Sequence, residues 1–89
     1  MPYLFVRQRV ADFDQWYSVF RSHAEAQKEA GLKDLQLLRD AADPNIIVCF
    51  FTVEDIDRAR AFTEAPQASE AQKESGVIGD PDIIWLDEI

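Results

Sequence analysis

A chain of 89 residues, 47% hydrophobic and 11% aromatic, has the composition of one folded domain and is too short for a second core. Its 17 acidic against 9 basic residues leave a formal charge of −8, which excludes the basic footprint that nucleic acid or an anionic membrane surface requires. A monomer of this size buries only about 60% of its unfolded surface, so self-association would stabilise it.

The single cysteine, Cys49, excludes an intrachain disulfide. Its place in the apolar run NIIVCFF predicts a small buried hydrophobe and no reactive thiol. No apolar run nears the ~20 residues of a membrane span. The N-terminus enters a strand-like pattern at once, with charges at Arg7 and Arg9, and does not read as a signal peptide. A cytoplasmic location is therefore expected.

The first element is a strand, YLFVRQRV (Tyr3–Val10), rich in aromatic and β-branched residues. Asp12 then reads as a helix N-cap, with Gln15 three positions on to complete a capping box, and the helix is expected to run to about Ala30. Gly31 stands where a left-handed C′ residue belongs. KDLQLLR (Lys33–Arg39) is a second strand, DAADPN (Asp40–Asn45) a turn, and IIVCFF (Ile46–Phe51) a third strand. Thr52 with Asp55 reads as a second cap. Pro66 breaks the helix that follows into Glu54–Glu64 and Pro66–Ser75, and Gly76 ends it. Gly79–Pro81 is expected as a turn, and DIIWLDEI (Asp82–Ile89) as the last strand.

The order is β-α-β-β-α-β over residues 1–89, a single domain. It predicts an α+β, ferredoxin-like fold, a four-stranded antiparallel sheet with two helices on one face. The strands carry a second message. Ile46, Val48 and Phe50 point one way and Ile47, Cys49 and Phe51 the other, and the first and last strands are likewise apolar on both sides. Two helices cover one face only. The other face calls for a partner, and a second copy of the same sheet is the simplest one. A homodimer through the face away from the helices is expected.

VADFDQWYSVFRSHAEAQKEAGL (Val10–Leu32), ARAF (Ala59–Phe62) and GVIGDPDIIWL (Gly76–Leu86) resemble the dimeric α+β barrel superfamily. That superfamily includes antibiotic-biosynthesis monooxygenases, haem-degrading monooxygenases, stress-responsive barrel proteins and some polyketide cyclases. Within it, the chain looks most like small cyclase-like or monooxygenase-like proteins of unestablished activity. The likeness spans nearly the whole chain and specifies a fold better than a reaction. Haem-degrading members share an Asn on the first strand and a haem-ligating His on the second helix. This chain has Gln8 in its first strand and its only histidine, His23, on its first helix, so haem degradation is not expected. In PQASEAQKES, Ala68, Ala71 and Gln72 stand where relatives carry larger apolar side chains, which implies a roomier or more polar cleft, or else a loosely packed surface segment.

On a helical wheel of about 100° per residue, Phe13, Trp16, Tyr17, Phe20, Ala24 and Gln27 share one arc that faces the sheet. His23 falls at its edge, beside Trp16. The superfamily's enzymes bind substrate in a cleft between helix and sheet. The resemblance thus implies a cleft walled by Trp16, Tyr17 and Phe20 with His23 at its rim. Imidazole titrates near neutral pH and suits proton abstraction from a phenol or a 1,3-dicarbonyl. The resulting carbanion would meet dioxygen, as in cofactor-free oxygenases, or close a ring, as in the cyclases. Tyr17 would orient a carbonyl and Trp16 would stack on a flat substrate.

The residues leave two classes open. One is a cofactor-independent enzyme acting on a small aromatic or polyketide-like molecule with His23 as acid/base. The other is a non-catalytic ligand-binding or structural homodimer, in which Trp16 and Phe20 are core and His23 merely edges a helix. A real cavity beside His23 separates them. A lone His and a lone Cys cannot build a zinc site, no calcium loop is spaced correctly, and no Gly-rich phosphate loop is present, so neither metal nor cofactor is expected. Arg7 and Arg9 share a strand face with Tyr3 and Phe5, and are read as ion-pair partners at the dimer interface.

Overall fold

Backbone pairing in a computed structural model, which describes residues 1–89, builds one antiparallel sheet. Its strands are β1 (Tyr3–Val10), β2 (Leu32–Arg39), β3 (Ile46–Val53) and β4 (Val77–Leu86), in the order β2-β3-β1-β4. Helices α1 (Phe13–Ser22) and α2 (Ala24–Glu29) follow β1, and α3 (Ile56–Glu64) and α4 (Pro66–Glu74) follow β3. The expected ferredoxin-like α+β architecture is present, with each of its two helical segments broken in two.

The breaks have different causes. Pro66 begins α4 at a position where its missing N–H is no loss, and Ala65 before it is extended (φ −68°, ψ 150°). The first break was not expected. His23 leaves helical geometry (φ −101°, ψ 9°), and its N–H turns back to the carbonyls of Phe20 and Arg21, tightening the last turn of α1 before α2 starts. The continuous helix to Ala30 is therefore two short ones hinged at the histidine, and no proline or glycine marks the place.

Caps also differ in detail from expectation. The Asp12 carboxylate accepts from the N–H groups of Asp14 and Gln15, but Gln15 does not close the box. Its Nε2 donates instead to the Glu74 carbonyl at 2.7 Å and ties the start of α1 to the end of α4. Asp55 alone caps α3, accepting from Asp57 and Arg58. Thr52 belongs to β3, and its hydroxyl donates to Asp34 at 2.8 Å. The Gly79–Pro81 turn is absent. β4 starts at Val77, pairs with Val10 and Arg9, and carries these residues as a bulge before Asp82 pairs with Arg7. The last strand thus begins five residues earlier than expected and ends at Leu86.

Strand register sorts the side chains. Toward the helices lie two rows, Leu37–Cys49–Val6–Ile83 and Phe51–Leu4–Trp85. Leu4, Ile47, Cys49, Phe51 and Val53 are buried there with Trp16 and Ala59. Trp16 is 2% exposed and stacks on Phe20 one turn later, ring centroids 4.8 Å apart. Burying aromatic side chains of this size contributes on the order of 3 kcal/mol each. Toward the other side run the rows Gln36–Phe50–Phe5–Ile84 and Leu38–Val48–Arg7–Asp82. No element of the chain covers them. Arg7 and Arg9 pair with acids within their own chain, Asp82 at 3.3 Å and Asp43 at 2.9 Å.

Gly31 ends α2 at φ +84°, and a Cβ there would lie 3.4 Å from Cβ of Glu54 and 3.6 Å from the Asp55 nitrogen. Gly31→Ala carries left-handed strain, its added Cβ making only ordinary contacts with Glu54 and Asp55 at the cap of α3. A loss of about 1–2 kcal/mol is expected, read as a lower urea midpoint at unchanged slope.

Candidate functional site

The break at His23 and the break at Pro66 divide the helical layer into two pairs of short helices. Between them lies a cavity of about 190 Å³. Its floor is Leu4, Val6 and Gln8 of β1 with Cys49 and Phe51 of β3. One wall comes from α1 and α2 (Trp16, Val19, Phe20, His23, Ala26, Gln27), and the other from α3 and α4 (Phe62, Thr63, Gln67, Ala68, Ala71, Gln72). Pro81 and Ile83 bound it at the β4 edge.

Three of the four residues singled out from the sequence meet here. Trp16 and Phe20 form one continuous aromatic surface, and His23 stands half-buried at the end of that wall. Tyr17 does not reach the cavity. It is 37% exposed, stacks on Phe13 at 5.5 Å and lies under the Arg21 guanidinium at 5.6 Å. Phe13 is held away from the cavity in turn by Arg39, 4.5 Å from its ring centre. The hinge also changes the phase of the helix, so Ala26 lines the cavity while Ala24 is exposed.

Ala68, Ala71 and Gln72 all line the space, which favours the roomier cleft over a surface segment for α4. Glutamines were undervalued in the sequence. Four of them reach the cavity, from three elements; helical periodicity pointed to Gln27 and the resemblance to Gln72, while nothing local pointed to Gln8 or Gln67. Pro66 restarts the helix in a new phase, which no single-helix wheel represents, and leaves Gln72 half-buried at the cavity with Gln67 exposed at its border.

The chemistry available is limited and specific. Burial pushes the Cys49 thiol up to about 12, against the opposing effect of the Gln8 amide, which donates to its sulfur at 3.9 Å. Such a thiol is neither nucleophile nor metal ligand at neutral pH. Ser75 is buried and donates to the Gln72 carbonyl at 2.8 Å, and Thr63 donates to the Arg60 carbonyl at 3.0 Å, so both hydroxyl protons are engaged by the helices themselves. Apart from Cys49, His23 is the one ionisable side chain that lines the cavity.

Comparison with known proteins speaks to this fold. No family model matches the chain, and no curated protein matches its sequence. Solved structures do match. An antibiotic biosynthesis monooxygenase superimposes with a TM-score of 0.76 at 13% identity, covering 100% of this chain and 99% of its own. SnoaB of Streptomyces nogalater, a cofactor-independent oxygenase, gives 0.73 at 20% identity over 98% of this chain and 92% of its own. A conserved protein of Methanosarcina mazei Go1 gives 0.78 at 11% identity, covering 99% and 92%. The whole chain shares the ferredoxin-like α+β fold of these proteins, in agreement with the resemblance read from its sequence.

With its pKa near 12, Cys49 should resist iodoacetamide at pH 8 in the folded protein and react within minutes in 8 M urea. Because the folded value lies above that of an exposed thiol, the stability it contributes is complete below about pH 8.5 and falls as pH rises toward 12. Folded-state alkylation at the rate of a free thiol would contradict this placement.

Proposed function

We propose that this protein binds a small aromatic molecule in the cavity between helices and sheet, and that His23 exchanges a proton with it without an added cofactor. The observation that carries the reading is the cavity itself, apolar over most of its wall, with the sole histidine at its edge. Its 190 Å³ compares with the ~150 Å³ cavity known to accept benzene, which suits one substituted ring. Phe20, half-buried and backed by the Trp16 indole, supplies an aromatic surface for such a ring.

His23 as general base removes a phenolic or activated C–H proton, leaving a delocalised anion. The similarity in fold to a cofactor-independent oxygenase favours dioxygen as its reaction partner. A methylene then becomes a carbonyl, with one oxygen atom retained in the product and the other leaving as water, and His23 returns its proton to that water. Aldol ring closure is the other outcome of the same deprotonation. A second reading keeps the ligand and drops the chemistry. It is favoured by the absence of any carboxylate or carbonyl hydrogen-bonded to the His23 ring, since a catalytic base is ordinarily oriented by such a group.

We further propose that the open sheet face pairs with that of a second copy. Leu38 and Ile84 are 51% and 46% exposed on it, and Phe5, Val48, Phe50 and Leu86 extend the apolar surface around them.

Two outcomes are expected. The His23 ring protons, a single pair in the NMR spectrum, should move on addition of a phenol panel, and His23→Ala should abolish turnover while retaining binding; an unresponsive ring would sink the reading. Sedimentation should give twice the 10.2 kDa chain mass, and Ile84→Lys should halve it with an unchanged circular dichroism spectrum. A wild-type monomer at tens of micromolar would refute the pairing.

A further inference from the structure

The charge of the cavity wall says more about its occupant than the volume does. Not one Lys, Arg, Asp or Glu lines the cavity, although these types make up 29% of the chain. The wall offers carboxamides instead, Gln8 from β1, Gln27 from α2, and Gln67 and Gln72 from α4. Gln15, which lies outside, is engaged by the Glu74 carbonyl at 2.7 Å. Of the four inside, only Gln8 has a protein partner, the weak 3.9 Å contact to Cys49 sulfur. Gln27, Gln67 and Gln72 make no side-chain hydrogen bond within the protein, and Gln67 is exposed to solvent at the edge of the space.

A second observation comes from outside the cavity. His23, Gln67 and Ala71 also line a surface groove whose remaining walls are Glu70 and Glu74 of α4, so groove and cavity meet at these three residues. Glu70 and Glu74 are one helical turn apart and both exposed. An anion that approaches here meets two carboxylates on a chain of net charge −8. Inside, it finds no Lys or Arg to offset its desolvation, which for an unpaired ion is severe. A neutral molecule meets neither obstacle, and its carbonyl or hydroxyl groups find amides able to both donate and accept.

We propose that the site selects an uncharged single-ring ligand bearing carbonyl, amide or hydroxyl groups, read by the glutamine amides, and that Glu70 and Glu74 turn carboxylates and phosphates away at its mouth. The inference rests on the small-molecule reading above and narrows it. Thioesters of phosphorylated carriers and free aromatic acids are excluded as ligands.

The test uses benzamide and benzoate, which match in shape and differ in charge. Binding to the intact chain is followed at pH 7.5 and low salt through the His23 ring protons. Benzamide should bind saturably, with benzoate at least tenfold weaker. Added salt should narrow that gap by screening the mouth, and in the Glu70→Gln/Glu74→Gln double variant the gap should start narrower and respond less to salt. Gln8→Leu should weaken benzamide several-fold, with the folded state checked by its urea midpoint. Benzoate binding as tightly as benzamide would overturn the proposal and leave the small-molecule reading standing. Undiminished benzamide affinity in Gln8→Leu would remove Gln8 from ligand recognition and overturn the amide readout. If neither probe binds, both the proposal and the reading beneath it fall.

Discussion

Burial of Trp16 against the sheet is the contact on which the rest of the molecule depends. The indole is 2% exposed, packed among Leu4, Phe51 and their neighbours and stacked on Phe20. It anchors the middle of α1. Beyond that anchor helical geometry fails at His23 and restarts in α2. The cavity lies between these two short helices, the second helical pair and the sheet.

The same device operates in the second helical segment. Pro66 cannot continue α3, so α4 restarts with alanines and Gln72 half-buried at the cavity. Small side chains supply volume, and amides supply polarity without charge. The tie between Gln15 and Glu74 holds α1 and α4 together at one end, so the walls of the cavity are fixed relative to each other there. A site built this way is preorganised by helix breaks and one cross-helix hydrogen bond, with no need of a long loop.

The sheet serves two faces with different solutions. Toward the helices its apolar rows are closed over, except where the cavity reaches Val6 and Gln8, with Cys49 buried beneath them. On the opposite side, the rows through Phe5 and Val48 carry apolar groups into the open, interrupted by Arg7 and Arg9, whose charges are satisfied along the same chain by Asp82 and Asp43. The Asp43 carboxyl is held below its ordinary range, first by the Asn45 backbone N–H and then by Arg9. Intrachain pairing leaves this face with little net charge to repel a second apolar surface.

Much of this was legible in the chain. Strand and helix order followed from apolar periodicity and from Asp12, Gly31, Asp55, Pro66 and Gly76, because caps and breaks are set by backbone conformations that few residue types satisfy. The two-sided character of the sheet followed from strict alternation along Ile46–Phe51. Trp16, Phe20 and His23 converge as their spacing implied. The exceptions are positions where a partner distant in sequence decides. The bulge at Gly79–Pro81 exists because β1 pairs on both sides of it, so a local turn signal was overridden by the ladder. Tyr17 left the site because Phe13 and Arg21 hold it outside. Local residues determined which elements form and which faces are apolar. Only the tertiary packing decided the cavity, its lining free of Lys, Arg, Asp and Glu, and the groove with Glu70 and Glu74 beside it, since each is assembled from elements that meet only in three dimensions.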